Sequence, residues 1–320
     1  MARIDLETGL LRIDGDEDGS RLDRALIRQV GAEQRSLIMR LIRKGNVRIN
    51  RKRAKPDTRL HAGDEIFLPA SLRQPVESSP PNDGIPAVLM RHVESLTILY
   101  EDNDLLAVYK PGGMVVHGGS GYESGLIEAL KELRQLPDLR LAHRLDRDTS
   151  GILLMAKHLA ALRELTASFR ERDMQKTYFA LITGHPYAHA GRMQSRLSKG
   201  VLHGGERVVV DDEDGKESIT DYQVMMHLER GGYAYAMVAL TPHSGRTHQL
   251  RVQLAEEGHA ILGDGKYGER ADNQAFRKLG GKGLALHAWR LRFMHPVEGR
   301  QMDLRANFPD LWLPLIKGNM

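Results

Sequence analysis

The sequence predicts an α+β protein of two domains, in which a small N-terminal domain precedes a larger one with a mixed, mainly antiparallel sheet flanked by helices and loops. Three observations support this fold class. The 320 residues exceed the usual length of a single domain. A segment rich in proline and serine, residues 73–93, has the composition of a linker. Beyond it, strand-like and helix-like segments follow one another without the regular alternation of parallel α/β folds.

The segment ahead of the linker, residues 18–72, has the pattern of a compact domain. Apolar residues at helical spacing from Leu22 onward predict a first helix. Ser36 is predicted to cap a second helix, which ends at Gly45. Residues 47–50 then alternate between apolar and polar as a strand does.

This small domain also concentrates positive charge. Ten lysines or arginines and one acidic residue, Asp57, lie between Arg35 and Arg59, although the whole chain has a formal net charge of only +4. A solvated helix face could carry such a run, but its position on a well-patterned domain favours contact with a nucleic acid. The candidate contacts are Arg40, Arg43, Lys44, Arg48, Arg51, Lys52 and Arg53.

The larger domain is predicted to occupy residues 94–320. Strands are predicted at 97–100, 105–109, 152–156, 176–183, 218–228 and 233–240, and helices at 124–133 and 157–170. The chain has no cysteine, which excludes disulfides, thiolate nucleophiles and cysteine-bound zinc. It has neither a long apolar run nor the pattern of a signal peptide at its start, so we expect a cytoplasmic protein with no membrane partner.

The most informative segment is HRLDRDTSG at residues 143–151, which directly precedes an apolar strand. Two acids, two arginines and a histidine at such a position can stand at the mouth of a cleft that is backed by a rigid sheet. A surface turn rich in aspartate and arginine explains these residues equally well, so the segment alone does not decide between the two interpretations.

This segment resembles the signature of the pseudouridine synthase family, which modifies ribosomal and transfer RNA through a single aspartate. Four further segments are similar to that family in the same order, namely YKPGG at 109–113, QKTY at 175–178, GRTHQLR at 245–251 and LHAWRL at 286–291. Residues 21–69 resemble the α-L RNA-binding domain that several of these synthases carry. Tyr109 departs from the family, which often has asparagine there.

The resemblance implies an enzyme that isomerises uridine to pseudouridine in ribosomal RNA of the large subunit and flips the target base out of its stack. The reaction gains no atom, so we expect no cofactor and no metal. The family implies that Asp146 attacks or deprotonates the sugar, and that Arg251 is the cation that keeps this carboxylate charged. It implies that Tyr178 stacks on the flipped base and takes part in proton transfer at ring carbon 5. It also implies a monomer.

Other residues are implied as contacts to the substrate. Leu250 is expected to touch the target base, and Arg144 to fill the vacated position in the RNA stack with its planar guanidinium. The alternative for Arg144 is an ion pair with Asp148. Further substrate contacts are expected from His143, Lys176 and Arg246.

Two other functions fit parts of the sequence. Asp146 and Asp148 could bind a metal ion with histidine ligands from other segments, for which the candidates are His143, His243, His248 and His259. Alternatively, the protein could be a non-catalytic RNA-binding factor for ribosome assembly, in which the second domain is an inactive scaffold. The second alternative conflicts with the presence of Asp146, Tyr178 and Arg251 at the family's catalytic positions.

Overall fold

A computed structural model describes residues 8–14, 18–30, 34–72, 85–118, 124–171, 173–201 and 207–317. These residues form two compact units, of which the first contains the described residues up to Leu72 and the second those from Ile85 onward. Most of the predicted linker, residues 73–84, lies outside the described residues. In the parts of the chain that the structure covers, every helix is too short or too polar to cross a membrane.

The first unit combines two short helices with a small sheet. Its elements are β1 (Leu10–Arg12), α1 (Leu22–Val30), α2 (Arg35–Lys44), β2 (Arg48–Ile49), β3 (Lys52–Arg53) and β4 (Glu65–Phe67). The strands are antiparallel and lie in the order β1-β4-β2-β3. Both helices and the sheet contribute to one apolar core, which includes Leu22, Ile42 and Ile66.

Helix α2 begins before the residue that the sequence predicts, but it ends at the predicted one. It starts at Arg35 after Gln34, so the prediction that Ser36 caps it is wrong, because Ser36 lies inside the helix. Its C-terminus is confirmed at Gly45, which has a φ of 78° and donates its N–H to the carbonyl of Ile42. Glycine adopts this left-handed conformation without the steric cost of a Cβ.

The turn between β2 and β3 consists of two residues in the left-handed region. Asn50 has a φ of 47° and Arg51 a φ of 65°. Two-residue turns of this kind match the twist of a hairpin, but they favour glycine at the second position. The Asn50 side chain holds the turn, since it donates to Asp64 at 2.8 Å and accepts the N–H of Glu65 at 2.9 Å. Arg51 therefore stands at the tip of a fixed hairpin.

The second unit begins with a helix that overlaps the predicted linker. Helix α3 spans Ala87–Glu94 and contributes Val93, which is 3% exposed, to an apolar core. The composition around Pro86 resembled a connector, but the apolar residues that follow have a buried surface to pack against. The C-terminal end of the predicted linker is therefore corrected, because these residues belong to the folded unit.

The remaining elements of the second unit form one large sheet with helices around it. They are β5 (Ile98–Glu101), β6 (Leu105–Lys110), α4 (Leu126–Leu133), β7 (Arg140–Leu141), β8 (Ser150–Ala156), α5 (Leu159–Glu171), β9 (Gln175–Thr183), β10 (Ala190–Val201), β11 (Arg207–Asp211), β12 (Lys216–Arg230), β13 (Tyr233–Pro242), α6 (Gln249–Glu256), α7 (Arg270–Lys278), β14 (Leu286–Met294), β15 (Gln301–Arg305) and α8 (Leu313–Ile316).

The strand order is β11-β10-β12-β13-β9-β14-β8-β6-β5, with β15 paired to β14 and β7 to β8. Among the described strands, the pairing of β14 with β8 is parallel and the other pairings are antiparallel. This confirms the predicted mixed, mainly antiparallel sheet. Strand β14, which comes late in the chain, lies between β8 and β9.

Strand β8 is buried at all of its residues, because apolar side chains cover both faces of the sheet there. Leu153 and Met155 belong to the core on one face, and Ile152 and Leu154 to the core on the other. At its start, Gly151 has a φ of 114°, and a Cβ there would lie 2.2 Å from the carbonyl oxygen of Ala288 on β14. The loop before β8 therefore ends on a rigid element.

Candidate active site

The predicted catalytic residues meet at one cleft of the second unit, which encloses about 640 Å³ including its open mouth. The cleft is lined by the loop before β8, by β9, and by the segment that leads from β13 into α6. The predicted residues among its lining are Arg144, Asp146, Lys176, Tyr178, Arg246, Leu250 and Arg251.

The loop that carries Asp146 is held by backbone contacts. The N–H of Thr149 donates to the carbonyl of Asp146 at 3.2 Å. Next to it, the carbonyl of Arg147 accepts hydrogen bonds from the Lys110 ammonium at 2.8 Å and from the N–H of Gly113 at 2.9 Å. These contacts fix the backbone of the loop that carries Asp146.

Lys110 is fully buried beneath this loop. Burial lowers its pKa to about 7 against the opposing effect of the charges on Asp148 and Asp146. Its ammonium donates to the carbonyls of Pro111, Met114 and Arg147 at 2.8–3.0 Å. Three carbonyl acceptors satisfy all three N–H groups, so they stabilise the charged form.

Arg251, on α6, faces Asp146 from across the cleft. Its Nη1 lies 3.7 Å from Asp146 Oδ2. The other side of its guanidinium forms two hydrogen bonds to Asp264, Nε to Oδ2 at 2.6 Å and Nη2 to Oδ1 at 2.8 Å. The exposed fractions of the Arg251 and Asp264 side chains are only 9% and 1%. A two-pronged bond of this type fixes the orientation of an arginine as well as its charge.

The Arg251–Asp264 pair is electrostatically matched despite its burial. Burial acts to lower the pKa of Arg251, but the hydrogen bonds and charge of Asp264 outweigh it and raise that pKa. Burial likewise acts to raise the pKa of Asp264, but Arg251 and the N–H groups of Lys266 and Tyr267 outweigh it and lower that pKa. Both groups are therefore charged at neutral pH.

Tyr178 lies on β9 and lines the cleft together with Asp146. Burial, and then the negative charge of Asp146, raise its pKa above the ordinary value for tyrosine. Its phenol is therefore protonated throughout the physiological range, so it can donate a proton or hydrogen bond and can present an aromatic face.

Besides Arg251, three cations line the cleft with Asp146. Arg144 and Arg246 are exposed, whereas burial lowers the pKa of Lys176. The alternative that pairs Arg144 with Asp148 is wrong, because the partner of Asp148 is Arg147, whose Nε lies 3.0 Å from Asp148 Oδ1. Arg144 is thus left to face the cleft.

His143 is packed beneath β8, where a substrate contact is not expected. Its Nε2 accepts the N–H of Leu154 at 3.1 Å, and its ring packs on Phe169 with 5.5 Å between ring centres. Burial lowers its pKa to about 4, so the ring is neutral. His143 supports β8 and is not among the residues that line the cleft, so this geometry does not support the predicted substrate contact.

The histidines required by the metal alternative also have other partners. His243 Nε2 lies 2.7 Å from Asp221, and His259 Nδ1 lies 2.8 Å from the carbonyl of Thr183. Asp148 is occupied by Arg147. The described residues near Asp146 therefore do not converge as a set of metal ligands.

Three residues that matter to this geometry were missed or misread in the sequence. Asp264 fixes Arg251. His248 was considered only as a metal ligand, yet its Nε2 lies 3.8 Å from Asp146 Oδ2. Tyr267 contacts both His248 and Arg251, with its hydroxyl 2.8 Å from His248 Nδ1 and its ring centre 5.1 Å from the Arg251 guanidinium. No local sequence pattern identifies such partners, because they lie at least 13 residues apart in the chain.

A buried amide network anchors α6 to the sheet. Gln249 donates to Thr220 Oγ1 at 3.0 Å, and Thr220 Oγ1 donates to Gln253 at 2.7 Å. Gln253 in turn donates to Ser195 Oγ at 3.0 Å and to the carbonyl of Ser218 at 2.9 Å. The spacing of four between the two glutamines places them on one helical face, which is a signal that the sequence contains. This network fixes the helix that presents Arg251.

In the first unit, the seven candidate RNA contacts are all exposed. Within the described residues, none of the seven forms an ion pair. Arg48 and Arg53 are direct neighbours across the β2–β3 hairpin. Arg53 also donates to the carbonyl of Arg43 at 2.7 Å, which joins the hairpin to the end of α2. Like charges in adjacent positions repel each other, and a polyanion would relieve that repulsion.

Each of the two units contains a segment that matches a known protein family. Residues 20–66 match the family described as S4 domain, and residues 104–256 match the family described as RNA pseudouridylate synthase. The first match agrees with the small α-L domain predicted from the sequence. The second covers the loop of Asp146, strand β9 and helix α6.

Curated relatives extend the likeness to almost the full chain. Ribosomal large subunit pseudouridine synthase C of Salmonella typhimurium is 43% identical over 303 residues, which cover 93% of this chain and 92% of the relative. The protein of the same name from Haemophilus influenzae is 40% identical over 307 residues, covering 95% and 92%.

Solved structures have a similar fold over about 70% of this chain. The human RNA pseudouridylate synthase domain containing 1 is 30% identical, with a TM-score of 0.58, and the match covers 69% of this chain and 86% of that one. The human RNA pseudouridylate synthase domain containing 4 is 26% identical, with a TM-score of 0.57, covering 72% and 95%. The chain therefore belongs to the RNA pseudouridylate synthase family of isomerases and carries an S4 domain ahead of its catalytic unit.

Proposed function

We propose that this enzyme isomerises specific uridines of large-subunit ribosomal RNA to pseudouridine, with Asp146 as the reacting carboxylate. The names of the relatives at 40–43% identity support the choice of RNA. The observation that carries the catalytic assignment is the convergence of Asp146, Tyr178 and Arg251 on one cleft, where Arg251 Nη1 lies 3.7 Å from Asp146 Oδ2.

The reaction breaks the bond between ribose C1′ and uracil N1 and joins C1′ to C5, while the proton on C5 is lost and N1 gains one. No atom is added or removed overall, so the chemistry requires a nucleophile or base, a proton carrier and charge stabilisation. The Asp146 carboxylate can attack C1′ or deprotonate the sugar. Arg251 stabilises its negative charge inside the cleft, and the protonated Tyr178 supplies an aromatic face and a hydroxyl proton beside the base.

The cleft also requires the target base to leave its stack. A uridine within folded RNA cannot expose its sugar and both ring positions together, and extruding a base costs a few kcal/mol. Arg144 is exposed at the cleft and is not tied to Asp148, so its planar guanidinium is available to fill the vacated position. Lys176 and Arg246 supply positive charge on the same lining for the flanking phosphates.

The first unit acts in this proposal as the RNA anchor. Its seven exposed cations would contact phosphates, which position an RNA without reading much of its sequence. Such a substrate places the enzyme in the cytoplasm, where we expect it to act as a monomer and without a cofactor.

The decisive test is Asp146→Asn, which keeps the shape of the side chain and removes its charge. We expect near-total loss of pseudouridine formation on a large-subunit RNA fragment, with unchanged RNA affinity. Asp148→Asn is the matched control and should retain most of the activity, because Asp148 pairs with Arg147. Turnover by purified Asp146→Asn would exclude this carboxylate as the reacting group.

A second measurement separates the enzyme from the assembly-factor alternative and identifies the target. Pseudouridines are mapped by chemical sequencing of ribosomal RNA from cells with and without the gene, and the purified protein is assayed in excess EDTA. We expect specific large-subunit sites to disappear in its absence and the reaction to proceed with the chelator. A wild-type protein that binds this RNA but forms no pseudouridine would support the assembly factor.

A further inference from the structure

Two hydrogen bonds and one longer approach connect strand β11 to Oδ2 of Asp146. The N–H of Val209 donates to the Tyr267 hydroxyl oxygen at 2.9 Å. The same oxygen lies 2.8 Å from His248 Nδ1. The opposite ring nitrogen, His248 Nε2, lies 3.8 Å from Asp146 Oδ2. The cleft thus connects its carboxylate to a backbone amide through a tyrosine and a histidine.

The hydrogen bond from Val209 to Tyr267 determines the direction of the hydrogen bond between Tyr267 and His248. Because the Val209 N–H already donates to the Tyr267 oxygen, the hydroxyl proton is free to point at His248 Nδ1, which then acts as an acceptor. If Nδ1 carried the proton instead, the Tyr267 oxygen would accept twice and its own proton would have no acceptor among the described residues. A neutral imidazole whose Nδ1 accepts must carry its proton on Nε2, which is the nitrogen that faces Asp146.

The backbone of His248 is held in the conformation that this contact needs. It has a φ of 55°, a left-handed value that costs free energy in any residue other than glycine. Its carbonyl accepts the N–H groups of Arg251 and Val252 at 3.0 Å, so it opens helix α6. Strain of this kind is retained where the surrounding structure imposes it, and here it aims the imidazole into the cleft.

His248 and Arg251 approach the same carboxylate oxygen. Their nearest nitrogens lie 3.8 Å and 3.7 Å from Asp146 Oδ2. These separations exceed hydrogen-bond length, as catalytic contacts often do before substrate closes the site. Because both nitrogens approach Oδ2, Oδ1 is the oxygen left to face the ribose.

We propose that His248 and Tyr267 are positioning residues for pseudouridine formation. Tyr267 fixes the Nε2–H tautomer of His248, and His248 then donates to Asp146 Oδ2 and orients Oδ1 toward the sugar. This inference rests on the proposed role of Asp146. Burial also lowers the pKa of His248, which the Asp146 charge opposes, so the neutral ring is the relevant species at neutral pH.

The first test measures the tautomer in the RNA-free protein, so it does not depend on the proposed function. The side-chain nitrogens of His248 are observed by ¹⁵N NMR at neutral pH and assigned by comparison with His248→Gln. We expect the Nε2–H form in the wild type and a mixture of tautomers in Tyr267→Phe, which keeps the aromatic ring beside Arg251. An Nδ1–H form in the wild type would overturn the proposal, as would an unchanged tautomer in Tyr267→Phe.

The second test asks whether the Nε2 donor matters to the reaction. His248→Gln keeps an N–H donor at a similar reach, whereas His248→Leu removes it, and both replacements bear the same strained backbone. We expect Leu to lower the single-turnover rate about 10- to 100-fold and Gln to retain about tenfold more activity than Leu. Tyr267→Phe should lower that rate about tenfold with RNA affinity unchanged.

Equal rates for the Gln and Leu variants would show that His248 only fills space, and the proposal would fail although Asp146→Asn remained inactive. Active Asp146→Asn would instead defeat the proposed function while leaving the NMR result intact. The two failures are therefore distinguishable.

Discussion

The two units of this protein use charge in opposite ways. In the first, seven cations stand exposed around a hairpin and a helix end, without an ion pair among the described residues. In the second, Arg251 and Asp264 are buried, bound to each other through two hydrogen bonds, and placed beside Asp146. The first arrangement suits attraction of a polyanion, and the second suits chemistry at one point.

This difference indicates which charged residues can be replaced with little effect. Exposed charges interact through water and salt, so each contributes little and a neighbour can substitute for it. A buried pair interacts strongly, and removal of one member leaves the other charge uncompensated. We therefore expect substitutions in the first unit to act gradually on RNA affinity, and substitutions around the cleft to act sharply on turnover or on stability.

The largest effect is expected at Tyr178, where a substitution tests whether changes in the cleft act sharply on turnover. Tyr178→Phe keeps the aromatic face and removes the hydroxyl, whose proton is firmly held because burial and the Asp146 charge raise the pKa. If the hydroxyl takes part in moving the proton that leaves C5, the rate constant of a single turnover should fall about 10²- to 10⁴-fold while RNA affinity stays constant. Single-turnover kinetics measures this. A rate within a few-fold of the wild type would restrict Tyr178 to stacking.

The buried Arg251–Asp264 pair is tested by its contribution to the free energy of unfolding. Asp264→Asn should lower the free energy of unfolding by about 3–5 kcal/mol, because it leaves the Arg251 charge without its partner. Asp303→Asn is the control, since Asp303 also accepts two hydrogen bonds from one arginine, Arg290, and a third from Arg305, but its side chain is 35% exposed. That control should cost less than about 1 kcal/mol. Equal losses in urea denaturation would contradict the contrast between buried and exposed pairs.

The same pair predicts a dependence on pH. The pKa of Asp264 is lowered in the folded protein, so its contribution is fully present above the ordinary aspartate pKa of about 3.9 and is lost as the pH falls below it. The difference in stability between the wild type and Asp264→Asn should therefore be constant near neutrality and narrow below about pH 4.

A smaller effect is expected when the hairpin cations are removed together. The combined variant Arg48→Gln, Arg51→Gln and Lys52→Gln should weaken binding to a large-subunit RNA fragment by about tenfold. The slope of log affinity against log salt should flatten by about 0.7–0.9 for each lost contact. The rate at saturating RNA should not change, because these residues lie outside the cleft. Unchanged affinity and slope would show that this surface is not the RNA anchor.

An effect of similar size, on stability, is expected where helix α2 ends beside that surface. Gly45→Ala should destabilise the first unit by about 1–2 kcal/mol, because Gly45 has a φ of 78°. A Cβ there would meet only the flexible side chain of Arg53 at 3.0 Å, which can move. Gly45→Asn should cost less, since asparagine tolerates this conformation better than alanine does. Equal losses in thermal unfolding would mean that contact with Arg53, not the backbone, sets the cost.

The sequence predicted those parts of the molecule that depend on local pattern. The helix end at Gly45 and the strands near Asp146 and Tyr178 follow from residue spacing and turn chemistry. The grouping of Asp146, Tyr178 and Arg251 at one cleft came from resemblance to a family. Spacing alone could not bring them together, because they lie on a loop, a strand and a helix that are distant in the chain.

Other features depend on tertiary packing, and local pattern did not predict them. Helix α3 has the composition of a linker at its start. It is distinguished from a connector by the burial of its residue Val93 in an apolar core. The role of His143 could not be read because a motif does not show which way a side chain turns. The left-handed backbone of His248 and its contact with Tyr267 result from the surrounding structure, for which the sequence has no local signal.

The position of β14 has a consequence for the order in which the protein can assemble. This strand pairs with both β8 and β9, yet it spans Leu286–Met294, more than 100 residues after either of them. During synthesis, Asp146 and Tyr178 therefore cannot reach their final positions until nearly the whole chain has been made. The first unit closes its core with its first 72 residues and depends on shorter loops, so it should fold earlier and faster. A nascent chain would thus hold RNA before it could modify it.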